Sequence, residues 1–134
     1  QMLNGCIGGL VAITAEPLMP SPLAAILIGA AGGVIVVYGT KFLLSLKIDD
    51  VVGAIPAHLF AGIWGTLAVP ITNPDTSFSS QLLGVVSVNI FVFAVSLIIW
   101  ALMKNTFGIR LSKDGETKGT DVTETGVIAY AIRD

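Results

Sequence analysis

The charged residues of this chain stand about one bilayer crossing apart, and no other feature constrains its fold as much. No Asp, Glu, Lys or Arg precedes Glu16, and none lies between Glu16 and Lys41, between Asp50 and Asp75, or between Asp75 and Lys104. A helix needs about 20 apolar residues to cross the hydrocarbon core of a bilayer, whereas a soluble domain scatters charge over every amphipathic element. Charged residues make up 12% of the 134, against about 25% in a soluble domain. The apolar segments do not alternate with polar residues as the strands of a membrane barrel do. Without water in the bilayer core, the remaining way to satisfy a crossing backbone is a helix. The class is an all-α, polytopic membrane helical bundle.

Four spans are predicted. The first, about residues 1–15, reads QMLNGCIGGLVAITA and is short for a crossing; it stops where EPLMPSP places three prolines close together. The second covers about 23–46, the third about 52–71, closed by PITNPD, and the fourth about 78–103, long enough to cross with tilt. Residues 1–104 thus form the membrane part, and 105–134 a polar, glycine-bearing tail outside the bilayer.

Lys41, in the last turns of span two, and Lys47, in the loop after it, lie at the junction with span three, and Lys104, Arg110, Lys113 and Lys118 follow span four, while the other two loops hold no Lys or Arg. Both basic regions fall on one side of a four-helix topology, so the positive-inside rule makes that loop and the tail cytoplasmic. A net charge of -2 without a basic patch excludes nucleic acid as a partner. Cys6 is alone, which excludes an intrachain disulfide and a cysteine metal cluster; its reading is apolar packing. No initiator Met and no signal peptide are visible, and the expectation is a C-terminal part of something longer.

Small residues recur four apart: Gly5 and Gly9, Gly29 and Gly33, and the run Gly53, Ala57, Ala61, Gly65. Such strips let helix backbones approach closely in lipid. Asn4 and Asn89 are expected to hydrogen-bond between helices, Trp100 to anchor at the interface, and Trp64 to pack between helices.

The third span, DDVVGAIPAHLFAGIWGTLAV, carries the chain's single histidine, His58. At about 100° per residue, Gly62, Gly65 and Thr66 project within a quarter turn of it, on a helix face stripped of bulk. Counting from Asp50, His58 lies roughly 12 Å into the membrane. Pro56 lacks an N–H, so either the regular helix begins near it or the backbone bends there. An ionisable group inside a span is costly and marks a pathway, a proton relay or a ligand, against the alternative of a histidine held by one hydrogen bond in a helix interface. A neutral imidazole both donates and accepts a hydrogen bond, so it can meet a small polar solute without presenting a repelling cation. Axial haem ligation is another option, although it usually pairs histidines across helices and this chain has one.

Four segments, in order, resemble the ammonium transporter (Amt/Rh/Mep) family: LNGCIGGLVAITA, KIDDVVGAIPAHLFAGIWGTLAV, QLLGVVSV and GIRLSKDGETKGTDVTETGVIAY. The resemblance covers almost the whole chain and the last third or so of a family member. It implies the C-terminal part of an eleven-span channel fold whose first ten spans form an inverted repeat, assembled as a homotrimer with a pore in each subunit. It implies no cofactor and no enzymatic reaction. His58 matches the second of two pore histidines that lie side by side near mid-membrane, with Gly62 and Thr66 on the same face. Ammonium would lose its proton at the outer mouth and ammonia would pass the apolar pore, since a bare cation in hydrocarbon costs far more than a neutral molecule.

Asp49 and Asp50 match carboxylates at the cytoplasmic mouth, where they attract an emerging cation or cap the helix end. In the tail, Gly119, Asp121, Thr123, Gly126 and Tyr130 match a regulatory segment that docks on neighbouring subunits. The family also implies binding of PII-type signalling proteins and, in plant members, phosphorylation at the position of Thr123. Thr120 and Thr125 depart from the family's leucine and histidine. The resemblance places the protein in the cell membrane. The rival readings are an ammonium sensor signalling to a cytoplasmic partner and a haem-bearing or structural membrane subunit.

Overall fold

The computed structural model describes residues 2–18 and 20–128, and all regular structure among them is helical. The chain divides into two units, Gln1–Ile90 and Phe91–Asp134.

In the first unit, α1 (Met2–Ile13) and α2 (Pro22–Ser45) are joined by the proline-rich turn. Ser21 caps α2, its Oγ accepting from Ala24 N at 3.3 Å. Pro22 occupies the first helical position, where its missing N–H costs nothing. The far end of α2 closes in a Schellman arrangement, Lys47 N donating to Leu44 O at 3.0 Å and Ile48 N to Leu43 O at 3.1 Å. Lys47 supplies the left-handed residue such a cap requires, with φ +58°. A π-helical turn, Ile55–Phe60, then leads directly into α3 (Ala61–Thr72). Gly53, at φ +73°, makes the entry bend that no L side chain adopts without strain.

The helices meet through glycine and alanine rather than through bulky side chains. The buried face of α2 is Ile28, Gly32, Val36, Gly39 and Leu43. A methyl group at Gly9 would stand 3.0 Å from Gly29 O, and one at Gly32 would stand 2.7 Å from Gly8 O, so α1 and α2 lie backbone to backbone. On α3, a methyl at Gly65 would fall on the Ala12 carbonyl. Two small clusters fill the interior: Ala12, Ile28 and Ala68 with Ile13 and Trp64 against them, and Val36, Ala57 and Ala61 with Val11. In lipid the hydrophobic effect does not drive helices together, and close van der Waals packing of this kind does.

Helix α4 (Phe78–Thr106) runs for 29 residues, none of them buried, and belongs to both units. Pro22–Ser45, Ile55–Thr72 and Phe78–Thr106 are each long and apolar enough to cross a membrane, whereas Met2–Ile13 is a shorter apolar helix. Asn89 does not reach another helix as expected: its amide donates to Val85 O, one turn back in α4, at 2.7 Å. A lone polar side chain on a helix can satisfy itself locally in this way. Asn4 does bond over a distance, donating to Val52 O at 2.8 Å and so tying α1 to the loop before the π-helical turn.

The second unit carries the short helix α5 (Lys113–Lys118) and a second π-helical turn, Asp121–Thr125. Ser112 Oγ caps α5 by accepting from Gly115 N at 3.1 Å.

Candidate functional site

The loop 46–54 determines how the histidine is presented. Asp50 reaches forward with both carboxylate oxygens, accepting from Ala54 N at 2.9 Å and from Ile55 N at 2.8 Å. These amides open the π-helical turn and have no helical partner of their own. Asp50 is therefore a helix cap, one of the two roles the sequence left open for it. Asp49, beside it, is exposed.

Pro56 takes the second place in the turn and has no N–H to give. Of the two backbone outcomes expected at this proline, the structure shows a helix beginning beside it, in the wide register. Ala61 N bonds back to Pro56 O, five residues earlier, as well as to His58 O. Such wide turns inside helices recur at functional sites.

The turn sorts its side chains into two sets. Pro56 and Ala57 are buried and Phe60 is half-buried, all on the side facing α2, where Gly39 makes room for Pro56 and Phe60. His58 and Leu59 are exposed on the surface of the described helices. Further along, Gly62 and Thr66 are half-buried, and Gly62 lies beside Val11. The imidazole is thus not walled in by its own helices, whereas Gly65, expected on the same face, is buried against Ala12 of α1.

Trp64 is half-buried and packs against the Ala12–Ile28–Ala68 cluster, its indole Nε1 donating to Ile28 O. Among the described residues there is no grouping of His, Cys, Asp and Glu suited to a metal ion.

Of the tail residues, Gly119 ends α5 at φ +98° and Gly126 ends the second π-helical turn at φ +69°, its N–H bonded to Val122 O at 3.1 Å. Thr123 donates from its hydroxyl to Gly119 O at 2.9 Å and Gly115 O at 3.3 Å, and its side chain remains exposed. Gly119, Asp121, Thr123 and Gly126 are therefore brought into one small folded segment, while Tyr130 lies outside the described residues. Arg110 grips both carboxylate oxygens of Glu116 across α5.

Two residues that sequence reasoning missed are Gly39 and Phe60. The signal for Gly39 was present: Gly32, Val36, Gly39 and Leu43 recur at helical spacing, a buried line on α2 distinct from the Gly29–Gly33 pair.

Residues 1–130 match the model of the Ammonium Transporter Family. The chain is 36% identical to ammonium transporter Amt2 of Archaeoglobus fulgidus over 148 aligned residues, covering 95% of this chain and 31% of that protein. It is 34% identical to ammonium transporter Amt1 of Haloferax mediterranei, covering 96% of this chain and 26% of the relative. An ammonium transporter of Bacillus subtilis is 30% identical, at 96% and 36% coverage. The chain thus spans between a quarter and just over a third of the length of these relatives.

Proposed function

Because this chain belongs to the Ammonium Transporter Family, we propose that it contributes part of a pore carrying ammonium or ammonia across the cell membrane. In this reading the protein is a transporter and catalyses no covalent reaction. The chain supplies one imidazole, His58, of a histidine pair lining the pore, with Gly62 and Thr66 forming the smooth wall beside it.

The observation that carries the reading is the exposure of His58 on a span whose Pro56, Ala57 and Ala61 are buried. Burial of Pro56, Ala57 and Ala61 holds the turn against α2, leaving the one ionisable side chain of the span open to a lumen or to another helix. An exposed ionisable group facing hydrocarbon is costly, so a polar solute or a polar neighbour is the physically favoured company. A neutral imidazole offers a passing ammonia molecule both a donor and an acceptor. Excluding bulk from the same face keeps the passage open, and excluding charge keeps cations from lodging there.

Asp49, exposed beside the capping Asp50, is the better candidate for drawing a cation at the cytoplasmic mouth. The basic residues of the loop and the tail support a cytoplasmic location for both. The family resemblance further proposes a homotrimer, and the folded segment Gly119–Gly126 as the part that meets neighbouring subunits or a PII-type protein.

The test is uptake by the complete transporter in proteoliposomes, read as an ammonium-driven change of internal pH. The expected result is a robust change with the native protein and a changed rate or coupling with His58→Ala. A native protein that gives no change above empty liposomes overturns the reading.

A further inference from the structure

We infer that Gly39 of α2 is a positioning residue for His58, acting through the two side chains of the π-helical turn that rest on it, Pro56 and Phe60. The inference rests on the reading of His58 as a pore residue and extends it to a second helix.

A methyl carbon at Gly39 would stand 2.6 Å from Phe60 Cδ2, 3.1 Å from Phe60 Cε2 and 3.0 Å from Pro56 Cβ. The first of these is closer than carbon atoms approach. A side chain at residue 39 therefore has to displace the Phe60 ring or the turn that carries it. Gly39 is buried in the middle of α2, within the line Gly32, Val36, Gly39 and Leu43. A regular helix gains from alanine over glycine at an interior position, so glycine here works against local helix preference and is explained by the approach it permits.

Pro56 and Phe60 are four residues apart and share the face turned to α2, whereas His58 lies midway between them in sequence. Two residues correspond to about half a turn of helix. His58 is accordingly directed away from the surface that Gly39 receives, and it is exposed while Pro56 is buried. Any displacement of Phe60 and Pro56 away from α2 is passed to the imidazole on the other side of the same turn. Asp50 holds the start of the turn by its two backbone amides, and Val36 packs with Ala57 and Ala61 one helical turn along. Gly39 thus faces a segment whose ends are already held, and a shift of that segment's backbone is taken up between them, where His58 lies.

The experiment compares Gly39→Ala, the double variant Gly39→Ala with Phe60→Ala, and His58→Ala in the complete transporter in proteoliposomes. Three readouts are taken: maximal rate, the ratio of ammonium to methylammonium transport, and the pH profile. Gly39→Ala is expected to lower the rate by about tenfold, the scale on which slight misplacement of an acting group is felt, and to alter the ratio and the pH profile. Phe60→Ala removes the Cδ2 and Cε2 atoms that the new methyl would strike, and is expected to restore all three readouts. A Gly39→Ala protein with reduced rate but native ratio and profile, or a double variant that stays impaired, overturns the inference. Native transport by His58→Ala instead removes the reading of the histidine on which the inference stands.

Discussion

The indole Nε1 of Trp64 on α3 donates a hydrogen bond to the backbone carbonyl of Ile28 on α2 at 3.0 Å. It links two helices that otherwise meet through methyl groups and bare backbone, and it places a large ring against the Ala12–Ile28–Ala68 cluster. An indole N–H inside an apolar span needs an acceptor, and a helix carbonyl carries a second lone pair that can serve. Trp64→Phe keeps most of the ring and loses the donor. Its expected cost is about 1 kcal/mol, the scale of interhelical hydrogen bonds in membranes, read as a lowered unfolding temperature in detergent. An unchanged unfolding temperature would remove this bond from the account of how α3 is held.

Gly65 has the least room of the glycines on α3. A methyl there would overlap the carbonyl and Cα of Ala12, both backbone atoms that no side-chain rotation can clear. Gly65→Ala is expected to push α3 from α1 and to destabilise by about 1–3 kcal/mol, the usual range for overpacking. Gly84, which has open space around it, is the matched control: Gly84→Ala should be neutral or slightly stabilising, since alanine is the better helix former. Equal thermal stability of the two variants would contradict the close approach.

Asp50 separates two kinds of carboxylate function. As a cap it accepts from Ala54 N and Ile55 N, so Asp50→Ala should cost about 1–2 kcal/mol. Asp50→Asn, which keeps one acceptor oxygen but no charge, should recover about half of that. Were the carboxylate needed only for its charge, the alanine and asparagine variants would behave alike, both in thermal unfolding and in transport rate.

The tail offers a pH dependence whose sign is set by one ion pair. Arg110 lowers the Glu116 carboxyl below the ordinary carboxylate range, chiefly through the hydrogen bond it donates, with partial desolvation opposing and charge attraction assisting. A carboxylate with a lowered folded-state pKa supports its fold fully above its unfolded pKa, and the support is lost as the pH falls through the lowered value. Both side chains are exposed, so the effect is local and weakened by salt. An acid titration followed by the NMR signal of the Arg110 Nε–H should show the pair persisting as the pH falls through the range where an ordinary glutamate protonates and dissolving only on the acid side of it. Glu116→Gln should abolish that transition; a transition that survives the substitution would belong to another group.

How much of this could be read beforehand differs from residue to residue. The all-helical membrane class follows from the spacing of Glu16, Lys41, Asp75 and Lys104, because the bilayer acts on every residue of a span alike and leaves its mark in composition. The Ammonium Transporter Family was legible too, in the long motif around His58, and the family match extends over residues 1–130. Trp64 was expected between helices and packs there. Asn89 was expected to bond across helices and bonds within its own, since one sequence does not say whether a neighbour's acceptor or the preceding turn is nearer.

The chain's order of residues determined the solvent it requires and the helical class of its spans. These follow from periodicity and composition, which act over a few turns of a single helix. Tertiary structure decided that Asp50 caps, that the helix opens at Pro56 in a wide register, and that Gly39 on another helix receives Phe60. The first two are local choices among several hydrogen-bond partners that the sequence alone leaves open, and the third depends on atoms brought to van der Waals range, about 3–4 Å, from distant parts of the chain.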